Sequence, residues 1–168
     1  ACLNTEECEH LLPWEMYTED EIVEIKANPN YDEEACGIWT NNIDLAYDKA
    51  MEKLQRILDK TGCTDSEMYF THGRNFRYTV DTNYKAHRTG RAPTGLYELK
   101  QRLHATFPGE ICNAIEADDI VVYLAMTQPE KYVMCAVDKD LLGAVPGKHF
   151  NYYESAKYNI EMKWTDIV

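Results

Sequence analysis

Apolar residues recur along Asn42 to Lys60 at helical spacing, with Ile43, Ala46, Tyr47, Ala50, Met51, Leu54, Ile57 and Leu58 on one face and Gly62 as a stop signal. The pattern predicts the clearest helix of the chain, its stripe turned to a core. A second helical run starts at Glu116. At roughly 100° per residue it places Ala117, Ile120, Val121 and Leu124 together, with Glu116 and Asp119 about 60° apart just off that face. A helix is also expected near Tyr97 to Thr106, and the Thr18-Glu-Asp-Glu21 capping box predicts a short one from Thr18 to Ala27. Strands are expected at Ser66–Thr71, Glu110–Asn113, Tyr132–Val137, His149–Tyr153 and near Tyr158–Lys163, the final pair suited to an antiparallel hairpin. Helices between strands predict an α/β fold of three layers, a mainly parallel sheet with helices on both faces. Residues 1–37 read as an acidic, loop-rich segment, and residues 38–168 as one α/β domain.

Composition narrows the class. With 168 residues, 45% of them hydrophobic, the chain suits one domain with a sizeable core, and 27% charge argues against wholesale disorder. No run approaches the ~18 apolar residues of a membrane span, and no basic-then-apolar signal segment opens the chain. The six cysteines form no C-x-x-C motif, and Cys112 and Cys135 lie in apolar runs that suit buried thiols. These features lead us to expect a reducing, cytoplasmic setting.

Charge is unevenly spread. The chain carries net −12, yet Arg74 to Arg102 holds seven basic residues (Arg74, Arg77, Lys85, Arg88, Arg91, Lys100, Arg102) against Asp81 and Glu98. Such a local patch can grip phosphates while the rest repels them. Within it, Tyr84-Lys85-Ala-His-Arg88 sets a ring beside cations, and tyrosine stacks on unpaired bases while Lys and Arg hold phosphates. A solvated charged loop is the plainer reading of the same residues.

Two acidic clusters carry the candidate chemistry. Glu116-Ala-Asp118-Asp119 opens the second helix, and Asp138-Lys-Asp140 ends the apolar run Tyr132 to Val137, at the carboxyl end of a strand, where open α/β sheets place their sites. Carboxylates brought to 4 Å repel by about 4 kcal/mol per pair at an effective dielectric of 20, and a divalent cation relieves that repulsion. Taken singly, each cluster also suits an ordinary helix start or a solvated turn. Together they are expected to face each other across one crevice.

The order Gly73-Arg-Asn-Phe-Arg77, Tyr84-Lys-Ala-His-Arg88, Glu116-Ala-Asp-Asp119 and Val137-Asp-Lys-Asp-Leu141 resembles the metal-dependent 5′ nucleases, the flap endonuclease and 5′ to 3′ exonuclease superfamily with its PIN-like fold. Val145-Pro-Gly-Lys-His-Phe-Asn-Tyr152 is similar to the short exonucleases of bacteriophages, and the likeness spans roughly Met68 to Tyr153. The resemblance implies hydrolysis of DNA at a free or flapped 5′ end by two Mg2+ ions, or Mn2+, about 3.5 to 4 Å apart, one activating water and one steadying the leaving oxygen. It implies Glu116, Asp118, Asp119, Asp138 and Asp140 as metal ligands, Lys85 and Arg88 over the scissile phosphate, and Tyr84 stacked on a terminal base. Arg74, Arg77 and Arg91 complete the implied DNA contacts, and the phage likeness implies the host cytoplasm.

The chain also departs from that pattern. The family's first strand, ending in a metal-binding aspartate, has no counterpart in Ala1 to Asn28, and residues 1–34 carry eleven acids and the single Lys26. Thr71-His72 stands where a further acid is expected, and Trp164-Thr-Asp-Ile-Val168 ends ahead of later aspartates. These departures lead us to expect missing segments or a protein partner that completes the site, or a degenerate relative that binds DNA without cutting it. With no G-x-G-x-x-G or P-loop, a nucleotide-dependent oxidoreductase is set aside. A phosphatase with Asp138 as nucleophile lacks the following hydroxyl, since Leu141-Leu142 stands there.

Overall fold

The stripe of Asn42 to Lys60 forms the helix it predicts. Helix α2 runs Ile43–Thr61, opened by Asn42, whose Oδ1 accepts the Leu45 N–H at 3.0 Å, and closed by Gly62 at φ 73°, whose N–H donates to Leu58 O at 2.8 Å. The structure is a computed structural model and describes residues 5–86 and 91–167. The protein is mixed α/β and divides into two units, Ala1–Glu52 with Arg88–Arg102, and Lys53–His87 with Leu103–Val168.

In the first unit, strands β1 (Glu6–His10), β2 (Tyr31–Asp32) and β3 (Gly37–Asn41) form an antiparallel sheet in the order β1-β3-β2, with Cys8 opposite Trp39. Regular pairing thus occupies part of the segment that reads as loop-rich. Between β1 and β2, helix α1 (Glu19–Ala27) carries the predicted capping box, Glu21 Oε2 accepting the Thr18 N–H at 2.7 Å. The Glu6 carboxylate receives the Thr94 N–H at 2.7 Å and Arg91 at 2.9 Å, and Asn41 donates to Thr94 O at 2.8 Å. These bonds tie the approach to helix α4 (Leu96–Thr106) onto the sheet.

The second unit holds the remaining strands. β4 (Met68–Thr71) and β5 (Gly109–Cys112) pair in parallel, Met68 opposite Gly109 and Thr71 opposite Cys112. Gly109 is required there, because at φ 131° a Cβ would lie 1.9 Å from Met68 O. β6 (Cys135–Ala136) pairs in parallel with β7 (Gly147–Asn151), and β7 pairs antiparallel with β8 (Lys163–Ile167). Helix α3 (Arg77–Val80) follows β4, α5 (Ala117–Thr127) follows β5, and α6 (Lys139–Leu142) follows β6. Of the predicted apolar face of α5, Ala117 is buried and Val121 packs with Met134, Leu141 and Val145, where Val122 and Ala125 join it in place of Ile120 and Leu124. Phe150, 1% exposed, stacks edge-on against Trp164 at 5.4 Å, which is about 2 to 3 kcal/mol of apolar burial for the phenyl ring.

Two strands differ from expectation. Only Cys135 and Ala136 of Tyr132 to Val137 join a ladder, and the final strand lies at Lys163–Ile167, beyond Tyr158, because a tight Ser155–Ile160 bridge with Asn159 at φ 51° takes up the intervening residues. Cys112 is buried as expected, whereas Cys135 is half-buried. No described helix is long and apolar enough to cross a membrane.

Candidate functional site

Strands β4 and β5 end side by side, so the loops that leave them are neighbours. His72 N donates to Cys112 O at 2.8 Å, one step past the paired residues, and Phe76 N donates to Ala114 O at 2.8 Å. Thr71, at the position where an acid was expected, uses its hydroxyl to accept the Ala117 N–H at 2.9 Å. That bond satisfies one of the orphan amides at the start of α5 and fixes the helix to the strand end.

Glu116 immediately precedes α5 and is 7% exposed. Its Oε1 accepts from Asn75 Nδ2 at 2.7 Å and from Lys85 Nζ, and its Oε2 accepts the Tyr84 hydroxyl at 3.1 Å. Arg77 Nη1 lies 2.8 Å from Oε2, an ion pair without hydrogen-bond alignment, while Arg77 Nη2 donates to Asp119 Oδ1 at 2.6 Å. Burial pushes the Glu116 carboxyl up, but Lys85, Tyr84 and Arg77 outweigh it and hold it below the usual carboxylate range. Asp119 is held down by the Arg77 guanidinium. Lys85 is desolvated, yet Glu116 and Tyr84 keep its ammonium more firmly protonated than usual. It reaches Glu116 from a left-handed backbone at φ 58°, a conformation that costs a non-glycine residue about 1 to 3 kcal/mol and is sustained where surroundings impose it.

Asp118 behaves oppositely. It is exposed at the residue level, yet partial desolvation, then the charges of Glu116 and Asp138, push its carboxyl above the usual range. Asp138 caps α6, its Oδ1 accepting the Asp140 N–H at 2.9 Å, and both residues are exposed. The charge of Asp138, in the second cluster, thus contributes to the upward push on Asp118 in the first. The donor set is all oxygen, which suits a hard divalent cation, and the repulsion on Asp118 is the kind a cation relieves. Among the described residues, however, no three His, Cys, Asp or Glu side chains gather around a common point at which they could hold a metal ion.

Of the predicted DNA contacts, Arg77, Tyr84 and Lys85 meet at Glu116. Arg74 lies over the Tyr78 ring at 5.4 Å, and Tyr78 meets Tyr84 edge-on at 5.3 Å, so the Tyr84 ring is packed as well as hydrogen-bonded. Arg91 belongs to the first unit, bonded to Glu6 and set over Trp39 at 4.5 Å. Arg88 falls outside the described residues. Asn75 and Thr71 are contributors that sequence reasoning missed. Their signal was faint: a hydroxyl residue closing an apolar run, and an amide residue just after Gly73-Arg74.

A depression of about 490 Å3 in this unit is bordered by Arg56, Lys60 and Glu154. In comparison with known proteins, the chain matches no family model, no curated protein and no solved structure.

Proposed function

We propose that this chain is a divalent-metal-dependent phosphodiesterase of the 5′ nuclease kind, acting on DNA with a free or flapped 5′ end. The observation that carries the reading is the cluster at the start of α5, where Glu116 and Asp119 hold Arg77 and Lys85 while desolvation and the charges of Glu116 and Asp138 push the Asp118 carboxyl above its usual range. Acids beside cations suit hydrolysis of a phosphodiester, which needs an activated water and stabilised charge on the leaving oxygen. The parallel pairs β4–β5 and β6–β7 are, on this reading, parts of one three-layer, mainly parallel, PIN-like arrangement with helices on both faces.

Mg2+, or Mn2+ in its place, would be held by Asp118 and Asp138 with Glu116, Asp119 and Asp140 as further direct or water-mediated ligands, two ions in a complete site, and would supply an activated water. The chain's own residues do the rest. Lys85 exchanges its Glu116 partner for a substrate phosphate, and Arg74 and Arg77 contact the backbone. Tyr84 stacks on a terminal base once its hydroxyl leaves Glu116. The setting is a reducing cytoplasm, the host's if the chain is phage-encoded, which suits the free thiols at Cys8, Cys36, Cys63, Cys112 and Cys135.

A second reading, a degenerate module that binds DNA without cutting it, is favoured by the lack of three gathered ligands among the described residues. A partner protein would complete the site on the first reading only. Release of labelled 5′ nucleotides or flaps in millimolar Mg2+ separates the two, with Asp138→Asn as control. Cleavage abolished in the control is expected. DNA binding without cleavage would establish the binding module.

A further inference from the structure

A buried asparagine between a strand and a one-turn helix costs stability unless its amide is satisfied. Asn75 is 4% exposed and satisfies its amide wholly within the acidic site. Its Nδ2 donates to Glu116 Oε1 at 2.7 Å, and its Oδ1 accepts the Arg77 N–H at 3.0 Å. Only one orientation of the amide serves both neighbours, since a carboxylate needs a donor and a backbone N–H needs an acceptor. The support is stiff: Phe76 N bonds across to Ala114 O, and Tyr78 N donates to Asn75 O at 3.2 Å.

Glu116 Oε1 thus receives two donors of different character. Lys85 offers an ammonium on a flexible four-carbon stem, and Asn75 offers a neutral amide on a single methylene. When Lys85 moves to a phosphate, Asn75 is the donor that stays.

We infer that Asn75 is a positioning residue: it keeps the Glu116 carboxylate aimed while Lys85 exchanges that carboxylate for a DNA phosphate. The kinetic part rests on the nuclease reading; the contact itself does not.

Two measurements on the full chain test it. In the first, cleavage of a 5′-labelled flap in Mg2+ is followed for Asn75→Leu, which keeps volume without hydrogen bonds, and for Asn75→His, which restores an N–H donor at similar reach. Partners that orient ligands typically matter by about 10- to 100-fold, so Asn75→Leu should lower kcat by at least about tenfold with KM within about twofold, and Asn75→His should recover most of that loss. An unchanged kcat in Asn75→Leu, or an equal loss in both variants, would overturn the role. In the second, exchange of the Asn75 side-chain amide protons is read by NMR without metal, in wild type and in Glu116→Ala. Slow exchange that speeds at least about tenfold in the variant supports the contact, and equal rates refute it. A wild-type chain that cleaves nothing overturns the nuclease reading and the kinetic role together, while the exchange rates still decide the contact.

Discussion

Glu116 and Asp119 are paired with cations, whereas Asp118, two residues from one and adjacent to the other, has no ion pair among the described residues. Arg77 bridges the first pair and Lys85 adds a second positive charge to Glu116, while no described Lys or Arg forms an ion pair with Asp118 or Asp138. The first pair is held below the usual carboxylate range, and Asp118 is pushed above it. Three acids within four residues therefore serve different ends. Glu116 and Asp119 knit the loop after β4 to the start of α5, whereas Asp118 is the acid without an ion pair among the described residues.

The largest expected effect is on the compensated side. Glu116→Ala leaves two partly buried cations without their shared anion, and breaking a buried pair costs about 3 kcal/mol. Urea denaturation should show that loss, and a change under about 0.5 kcal/mol would mean the cluster is a loose surface pair. Thr71→Val keeps the shape but orphans the Ala117 N–H, at about 1 kcal/mol. Asp119→Asn weakens a half-exposed ion pair with Arg77 and should cost about 1 kcal/mol or less.

Asp118→Asn should go the other way and slightly raise the neutral-pH melting temperature, because it removes a carboxylate its neighbours repel. The pH signs differ too. A depressed folded pKa, as at Glu116 and Asp119, gives stability present above the unfolded value near 4 and lost as pH falls through the folded one. A raised folded pKa, as at Asp118, gives stability present at low pH and lost as pH rises through it. Comparing acid melts of Asp118→Asn and Asp119→Asn with wild type would expose the difference, and parallel curves for the two variants would erase it.

The helices were the legible part of the fold. α2 and α5 carry uninterrupted apolar periodicity, and Thr18 with Glu21 forms a capping box that is local in sequence. β1 and β3 were illegible, since Glu6 to His10 holds only Cys8 as an apolar residue among polar ones and its stability comes from pairing with residues about thirty positions away. The acids themselves were visible as clusters, at a helix start and just after a short strand. Sequence could not reveal that Glu116 would be spent on Lys85, 31 residues earlier, or that Asn75 would hold it, because polar loop residues carry no periodic signal. The expected acid position at Thr71 became a helix anchor, a role decided by the register of two parallel strands.

The central claim is that Asp118 and Asp138 form the cation-binding part of the site. It is tested most directly by thermal melts of wild type, Asp118→Asn and Asp138→Asn with and without millimolar Mg2+. A ligand that binds only the native state stabilises it, by about 2.7 kcal/mol at a hundredfold excess over Kd. The account predicts a metal-dependent rise in wild type that both variants lose. Equal melting temperatures with and without metal in wild type, or a rise that survives in both variants, would contradict it.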